Sequence, residues 1–419
     1  MGRPPAISSS PEMTRVAVLC ILLFVLVSGP ARAAGDCLAF ELFRDGLSAL
    51  PETQRPEAID RYLDCVKRNG HPLVEAGTSE KHYRVTFLFR GEAKTLTLPG
   101  DMNGWNRTSD VLARIDGTDL YFRSYEFPAA VRLDYKFFRD GREWLLDPLN
   151  PRTMIGGYGP NSHFWLPGYV PPEGVAPIDG VPSGKVERFP FRSEVLGNRR
   201  LLHVYLPPGY EEHPDTRFPV LYLLDGEDFL TLGAVAPLMN WGIHTGRLAK
   251  AILVMVPPVK RDDEYEEKFS RFEKFVLKEL VPAIDGKYRT VATAGSRGVM
   301  GVSLGGYAAL NLAARNPKVF GRCGAQSTGN RDPRNLDKLL RRLERLPVDS
   351  VVFHVDTGLY DLKGNGWSLL DVTRRLRAVL EKKRLRLQYK EVPEGHSWGN
   401  WRARFVSAAG FFWPPSGGD

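Results

Sequence analysis

The sequence has 419 residues, enough for two or three domains and a sizeable core. Hydrophobic residues make up 43% and charged residues 25%, the balance of an ordinary globular protein. The formal charge is +8, but Lys and Arg are scattered without a long basic block, which points to a solvated basic surface and excludes a nucleic-acid partner.

Residues 16–27 form an apolar run behind Arg15, and Ala31-Arg32-Ala33 supplies a small-x-small cleavage pattern. The run is short for a transmembrane span. The expectation is an export signal over 1–33, no stable membrane span after its cleavage, and a periplasmic or secreted location. Export implies an oxidising compartment. Of the cysteines that remain, Cys37 and Cys65 lie in one short segment and can pair, while Cys323 reads as a buried strand thiol. No cysteine has zinc-ligand spacing, and no metal or organic cofactor is expected.

Residues 34–76 read as a helical hairpin. Ile59, Tyr62, Leu63 and Val66 recur at i, i+3, i+4 and i+7, and Leu50-Pro51 separates a first helix from a second. Over 77–170 the period changes to two. Tyr83–Phe89, Lys94–Leu98, Leu120–Phe127 and Leu133–Phe138 are expected strands of a β-sandwich. Gly100-Asp101-Met102-Asn103-Gly104-Trp105 and Asp147-Pro148-Leu149-Asn150-Pro151 lie among them. This pattern resembles the early-set sandwich modules of glycogen-active enzymes. The resemblance implies a possible carbohydrate contact in which Trp105, Trp144, Tyr158 and Trp165 stack on sugar rings. Packing is the preferred role for these rings, because aromatic side chains usually carry burial energy. The Pro- and Gly-rich stretch 171–185 is a linker.

From 186 to 419 strands and helices alternate, which predicts a mostly parallel sheet covered on both faces. The α/β segment is organised around Gly298–Gly306. An apolar strand leads into Gly301-Val302-Ser303-Leu304-Gly305, and a helix sequence follows until Asn316-Pro317. This is G-x-S-x-G in the strand–turn–helix setting of a nucleophile elbow. Gly301 and Gly305 remove side chains that would clash across the sharp turn. The Leu304 N–H, at a helix N-terminus, can face a developing oxyanion. A second N–H is expected from Glu227, in the loop after the strand at 219–224, through its backbone alone.

In such folds the partners follow the serine in the order acid, then histidine. His354 lies inside a strand and reads as packing, whereas His396 lies in a loop straight after the last strand, the place for a general base. For the acid, Asp356 and Asp361 both qualify by position behind the strand at 351–355.

The segment from Ser183 to Trp413 resembles the esterase-D-type α/β-hydrolases, a group that includes enterochelin esterases, feruloyl and acetylxylan esterases, and mycolyltransferases. The matching runs are Tyr205–Tyr210, Leu223–Glu227, Arg261–Tyr265, Gly301–Gly306 and Gly395–Trp398. The resemblance implies a serine carboxylic-ester hydrolase with Ser303, His396 and Asp361 as its triad, the acid mapped onto Asp361 by its spacing from a glycine. It places Arg261 and Trp398 in substrate binding. Siderophore lactones, feruloyl esters and acyl glycans all fit as substrates, with acyl transfer to a sugar hydroxyl or sugar binding on a non-catalytic hydrolase fold as alternatives.

Overall fold

The computed structural model describes residues 37–415 apart from positions 157, 331 and 365. The expected export signal lies outside the described residues.

Phe40–Ala49 and Arg55–Asn69 are the two helices of the hairpin. Pro56 sits in the first turn of the second, where a missing N–H costs nothing, and Gly70 ends it at φ +100°. The stripe Ile59, Tyr62, Leu63 and Val66 is buried, and the Tyr62 ring stacks on Phe43 with centroids 3.7 Å apart. A disulfide joins Cys37 to Cys65. The hairpin rests its apolar faces on Leu88, Leu120 and Leu149 of the following β-rich region.

That region contains β1 (Leu73–Ala76), β2 (His82–Arg90), β3 (Leu96–Thr97), β4 (Ala113–Arg114), β5 (Leu120–Pro128), β6 (Arg132–Tyr135), β7 (Phe137–Arg139), β8 (Glu143–Leu145), β9 (Thr153–Gly156) and β10 (Gly159–Trp165). One sheet runs β1-β2-β5-β4 and a second runs β3-β7-β8. Phe87, Phe89, Leu96, Phe127 and Phe137 of these two sheets share one core with Phe164 of β10, a strand of the large sheet. The strand expected over 133–138 is split at Lys136, whose N–H donates to the Pro99 carbonyl (2.9 Å). Before that residue β6 belongs to the large sheet; after it β7 belongs to the small one. No alternation betrays the switch, because Leu133, Asp134, Tyr135 and Phe137 are all buried.

The large sheet is built from β11 (Lys185–Ser193), β12 (Asn198–Leu206), β13 (Val220–Leu224), β14 (Ile252–Val256), β15 (Arg297–Val302), β16 (Arg322–Gln326), β17 (Val352–Tyr360) and β20 (Leu387–Gly395); β18 (Lys363–Gly364) and β19 (Trp367–Ser368) form a separate short hairpin. Its order is β11-β12-β14-β13-β15-β16-β17-β20-β6-β10-β9. From β14 to β20 the strands are parallel. Each apolar run serves two cores: Tyr222, Leu224 and Val254 face one, Leu221, Leu223 and Leu253 the other. That is why these strands read as continuous hydrophobic runs. β20 touches β6 through one parallel pair, Glu394 with Arg132, so the β-rich region continues the α/β sheet.

The chain leaves β13 to form β14 on one side and returns to form β15 on the other. Such a reversal opens a crevice at the carboxyl ends of the two strands. Asp225 follows β13 and Ser303 follows β15.

Candidate active site

Ser303 joins β15 to the helix Leu304–Arg315 with φ +54° and ψ −125°, a conformation costly for a residue with a Cβ. The neighbouring glycines make it feasible. A Cβ on Gly301 would run into the Gly305 carbonyl, and one on Gly305 would sit 2.6 Å from Asp225 Oδ2. The second glycine therefore makes room for the loop after β13 as well as for the turn itself. The Ser303 N–H donates to the Gln326 carbonyl (2.9 Å), and the Thr328 hydroxyl donates to the Ser303 carbonyl (3.2 Å).

His396 directly follows β20. Its Nε2 lies 3.1 Å from Ser303 Oγ, and its Nδ1 lies 2.7 Å from Asp361 Oδ1. A carboxylate only accepts, so this contact puts the ring proton on Nδ1 and leaves Nε2 free to accept from the serine hydroxyl. Asp361 Oδ2 accepts from the Thr357 hydroxyl (2.9 Å) and the Gly358 N–H (2.7 Å), which fixes the carboxylate plane. The expected strand at 351–355 runs on to Tyr360, so Asp361, not Asp356, stands at its carboxyl end. Gly358 lies at a register shift against β20 and in close approach to it, since a Cβ there would strike the Glu394 carbonyl.

Asp356 is fully buried inside β17. Its Oδ2 accepts from Gln326 Nε2 (3.1 Å) and meets His354 Nε2 (2.9 Å), and its Oδ1 pairs with Arg404 Nη1 (3.1 Å). Burial pushes this carboxyl up, but the Arg404 charge and the His354 bond outweigh it and hold it below its ordinary value. His354 is buried and bonded to Gln388 as well, a structural residue.

Arg261 forms a two-toothed pair with Asp225 (Nε–Oδ1 and Nη2–Oδ2, both 2.8 Å), and the Asp225 N–H donates to the Tyr265 hydroxyl (2.8 Å). Arg261 thus braces the loop that carries Glu227. The Glu227 N–H lies in the first turn of the helix Gly226–Thr231 and the Leu304 N–H in the first turn of the helix Leu304–Arg315, positions that leave backbone donors unused by their own helix. The Glu227 carboxylate turns away to His203 (2.7 Å). Trp398 is 4% exposed and packs edge-on against Phe229 and Trp401, a wall of the core. Among the aromatics of the β-rich region, Trp144 and Tyr158 are exposed, whereas Trp165 lies against His163 under the Arg152 guanidinium.

One residue at the site was read only as part of a sandwich motif. Asp101, 1% exposed, accepts at Oδ1 from the His396 N–H (3.3 Å) and Trp105 Nε1–H (2.9 Å), and at Oδ2 from the Asp134 N–H (2.8 Å). Burial and the Asp134 charge push it up to about 8, against the pull of the Asp134 and Trp105 N–H donors and of Arg132.

The Esterase family model matches residues 193–412, more than half of the chain. The chain belongs to the Esterase family. It is a carboxylic ester hydrolase of the α/β-hydrolase fold. The esterase is 27% identical to YjcH of Bacillus subtilis over 235 residues, 54% of this chain and 96% of that one. It is 31% identical over 165 residues to an endo-1,4-beta-xylanase/feruloyl esterase of Xylanibacter ruminicola, 36% of this chain but only 23% of that protein. The solved ferric enterobactin esterase of Salmonella typhimurium superposes with a TM-score of 0.70 at 22% identity, covering 82% of this chain and 96% of that one. At that identity the likeness is one of fold. Its span exceeds the matched esterase segment, so it includes part of the β-rich region.

Proposed function

We propose that this esterase cleaves its substrates through a Ser303–His396–Asp361 triad and an acyl-enzyme. Ser303 Oγ attacks the ester carbonyl carbon while its proton passes to His396 Nε2. Asp361 holds the imidazole in the required tautomer and stabilises the imidazolium. The N–H groups of Leu304 and Glu227 receive the oxyanion. Collapse expels the alcohol, which takes the proton from Nε2, and water then repeats the sequence on the acyl-serine with His396 as base. The observation that carries this reading is the unbroken relay from Oγ to Nε2 (3.1 Å) and from Nδ1 to carboxylate (2.7 Å), ending on a serine at φ +54°.

Siderophore lactones, feruloyl esters and acyl glycans are the proposed substrate classes. The likeness of this chain to an enterobactin esterase and to a feruloyl esterase supports the first two. Export to an oxidising compartment is part of the proposal, supported by the leader-like N-terminus and by the Cys37–Cys65 disulfide. So is the division into a hairpin (34–76), an early-set module (77–170) and a catalytic domain (186–419).

A fluorophosphonate should label the wild-type protein on Ser303 and leave Ser303→Ala unlabelled and inactive on a panel of these esters. Equal labelling of the variant overturns the assignment.

A further inference from the structure

Outside the triad, two chain segments fit closely where the β-rich region meets the loop that carries His396. A Cβ on Gly395 would fall inside the Asp101 carboxyl group, so that residue must be glycine for Asp101 to reach the His396 N–H. Four residues later, a Cβ on Gly399 would fall inside the Arg132 guanidinium. Arg132, 3% exposed, donates from Nη1 to Asn400 Oδ1 (2.8 Å) and Ser397 Oγ (3.3 Å), and is itself held by Asp134 Oδ1 (2.8 Å). Asn400 Nδ2 in turn donates to the Gly395 carbonyl (3.0 Å), closing the loop on itself. Asp134 links the two contacts, since its N–H donates to Asp101 and its carboxylate holds Arg132.

The same turn reaches the acid side. Gly104, at φ +65°, abuts Lys363, where a Cβ would be 2.8 Å from the carbonyl oxygen. Tyr360, immediately before Asp361, packs edge-on against Phe127 in the β-rich core, with centroids 5.9 Å apart. The segments bearing the base and the acid are therefore both seated on residues 100–135.

We propose that Asp101 and Arg132 are positioning residues for His396: the β-rich region sets the imidazole's distance to Ser303 by clamping the segment 395–400, Asp101 through the His396 N–H and Arg132 through the Ser397 and Asn400 side chains. The physical reason is reach. His396 hangs from the last strand of the parallel sheet, which β17 flanks on one side and, among the described residues, β6 flanks on the other, so on that side its loop is supported by the β-rich region. Buried bonds from a rigid neighbour supply that support, and an error of about 1 Å at a general base costs about 10²-fold in rate. The inference rests on the proposed role of His396.

The test uses the full chain. Asp101→Ala should lower kcat about 10²-fold with KM within about threefold, because the contact acts on the base and not on substrate binding. Asp101→Asn keeps a carbonyl oxygen for the His396 and Trp105 donors but turns its amide NH2 toward the Asp134 N–H, so it should recover only part of that loss. Val66→Ala, on the buried face of the hairpin, should lower Tm without changing kcat at temperatures well below it. If Asp101→Ala does not fold, Gly395→Ala displaces the same loop from the other side and should give the same kcat loss at unchanged KM. Wild-type kcat in folded Asp101→Ala or Gly395→Ala, with fluorophosphonate still labelling Ser303, overturns the positioning role alone. Loss of Ser303-specific labelling in the wild type would instead overturn the triad on which it rests.

Discussion

Asp356 and Asp361 stand five residues apart in different surroundings, and the proposed mechanism gives them different work. Asp361 meets the imidazole and is held by Thr357 and Gly358; Asp356 meets Arg404, Gln326 and the structural His354. Asp361→Asn presents an amide where the Nδ1 proton needs an acceptor, so kcat should fall by several orders of magnitude, about 10⁴ in the comparable serine-protease case, with KM little changed. Asp356→Asn should keep kcat within about tenfold and lose stability instead. The sign of its pH dependence follows from the held-down carboxyl. A folded-state value below the unfolded one, near ~3.9, means stability that is present above that pH and is lost as pH falls through the folded value. The gap in urea midpoint between wild type and Asp356→Asn should therefore be widest at neutral pH and close below about pH 4. A gap that widens on acidification, or a larger kcat loss in Asp356→Asn than in Asp361→Asn, would reverse the two assignments. Position alone left both acids open in the sequence, because the end of β17 could not be read through Thr357-Gly358. Once the strand is seen to run to Tyr360, only Asp361 is at its tip.

At the level of elements, the elbow was legible because its physics is local: a strand, a turn that tolerates no side chain at Gly301, and a helix all lie within nineteen residues of sequence. Gly301→Ala should cost about 1–3 kcal/mol or more, since the added methyl meets backbone that cannot move aside, and should slow fluorophosphonate labelling by displacing Ser303. Gly286 is the contrast. It lies exposed in the helix Val281–Lys287 with nothing near its missing Cβ, so Gly286→Ala should raise stability by about 0.4–1 kcal/mol and leave labelling unchanged. Equal effects of the two substitutions would mean that the turn is not the tight one described. Other elements were harder to read for a physical reason. The β6–β7 switch at Lys136 sits in a run buried on both faces, where period-two patterning vanishes, and the bond from Asp101 to His396 joins residues 295 apart, with no local signature. The Gly100–Trp105 motif was visible, but its partner was not.

Across the whole molecule, the apolar interior is divided. One core lies between the helical hairpin and the outer face of the β1-β2-β5-β4 sheet, a second lies inside the β-rich region, and two more line the faces of the large sheet. The Cys37–Cys65 bond acts on the first of these. It closes a loop of sequence separation 28, which on a chain-entropy view is worth about 3–4 kcal/mol. That stabilisation belongs to the hairpin, because no residue of the first core is shared with those around Ser303. The double variant Cys37→Ser, Cys65→Ser should therefore speed hydrogen exchange in Phe40–Asn69. Exchange in β15 and in the helix Leu304–Arg315 should stay at wild-type rates. The route by which damage could spread is specific: Leu88 and Leu120 belong to β2 and β5, whose opposite faces carry Phe87, Tyr121 and Phe127, and Phe127 supports Tyr360 beside the acid. A hairpin that loosens without disturbing β2 and β5 leaves that support in place, so kcat should remain within about twofold of wild type. Matching loss of protection in the hairpin and in β15 would show instead that the layers unfold as one unit, with the disulfide holding the active site as well as the hairpin.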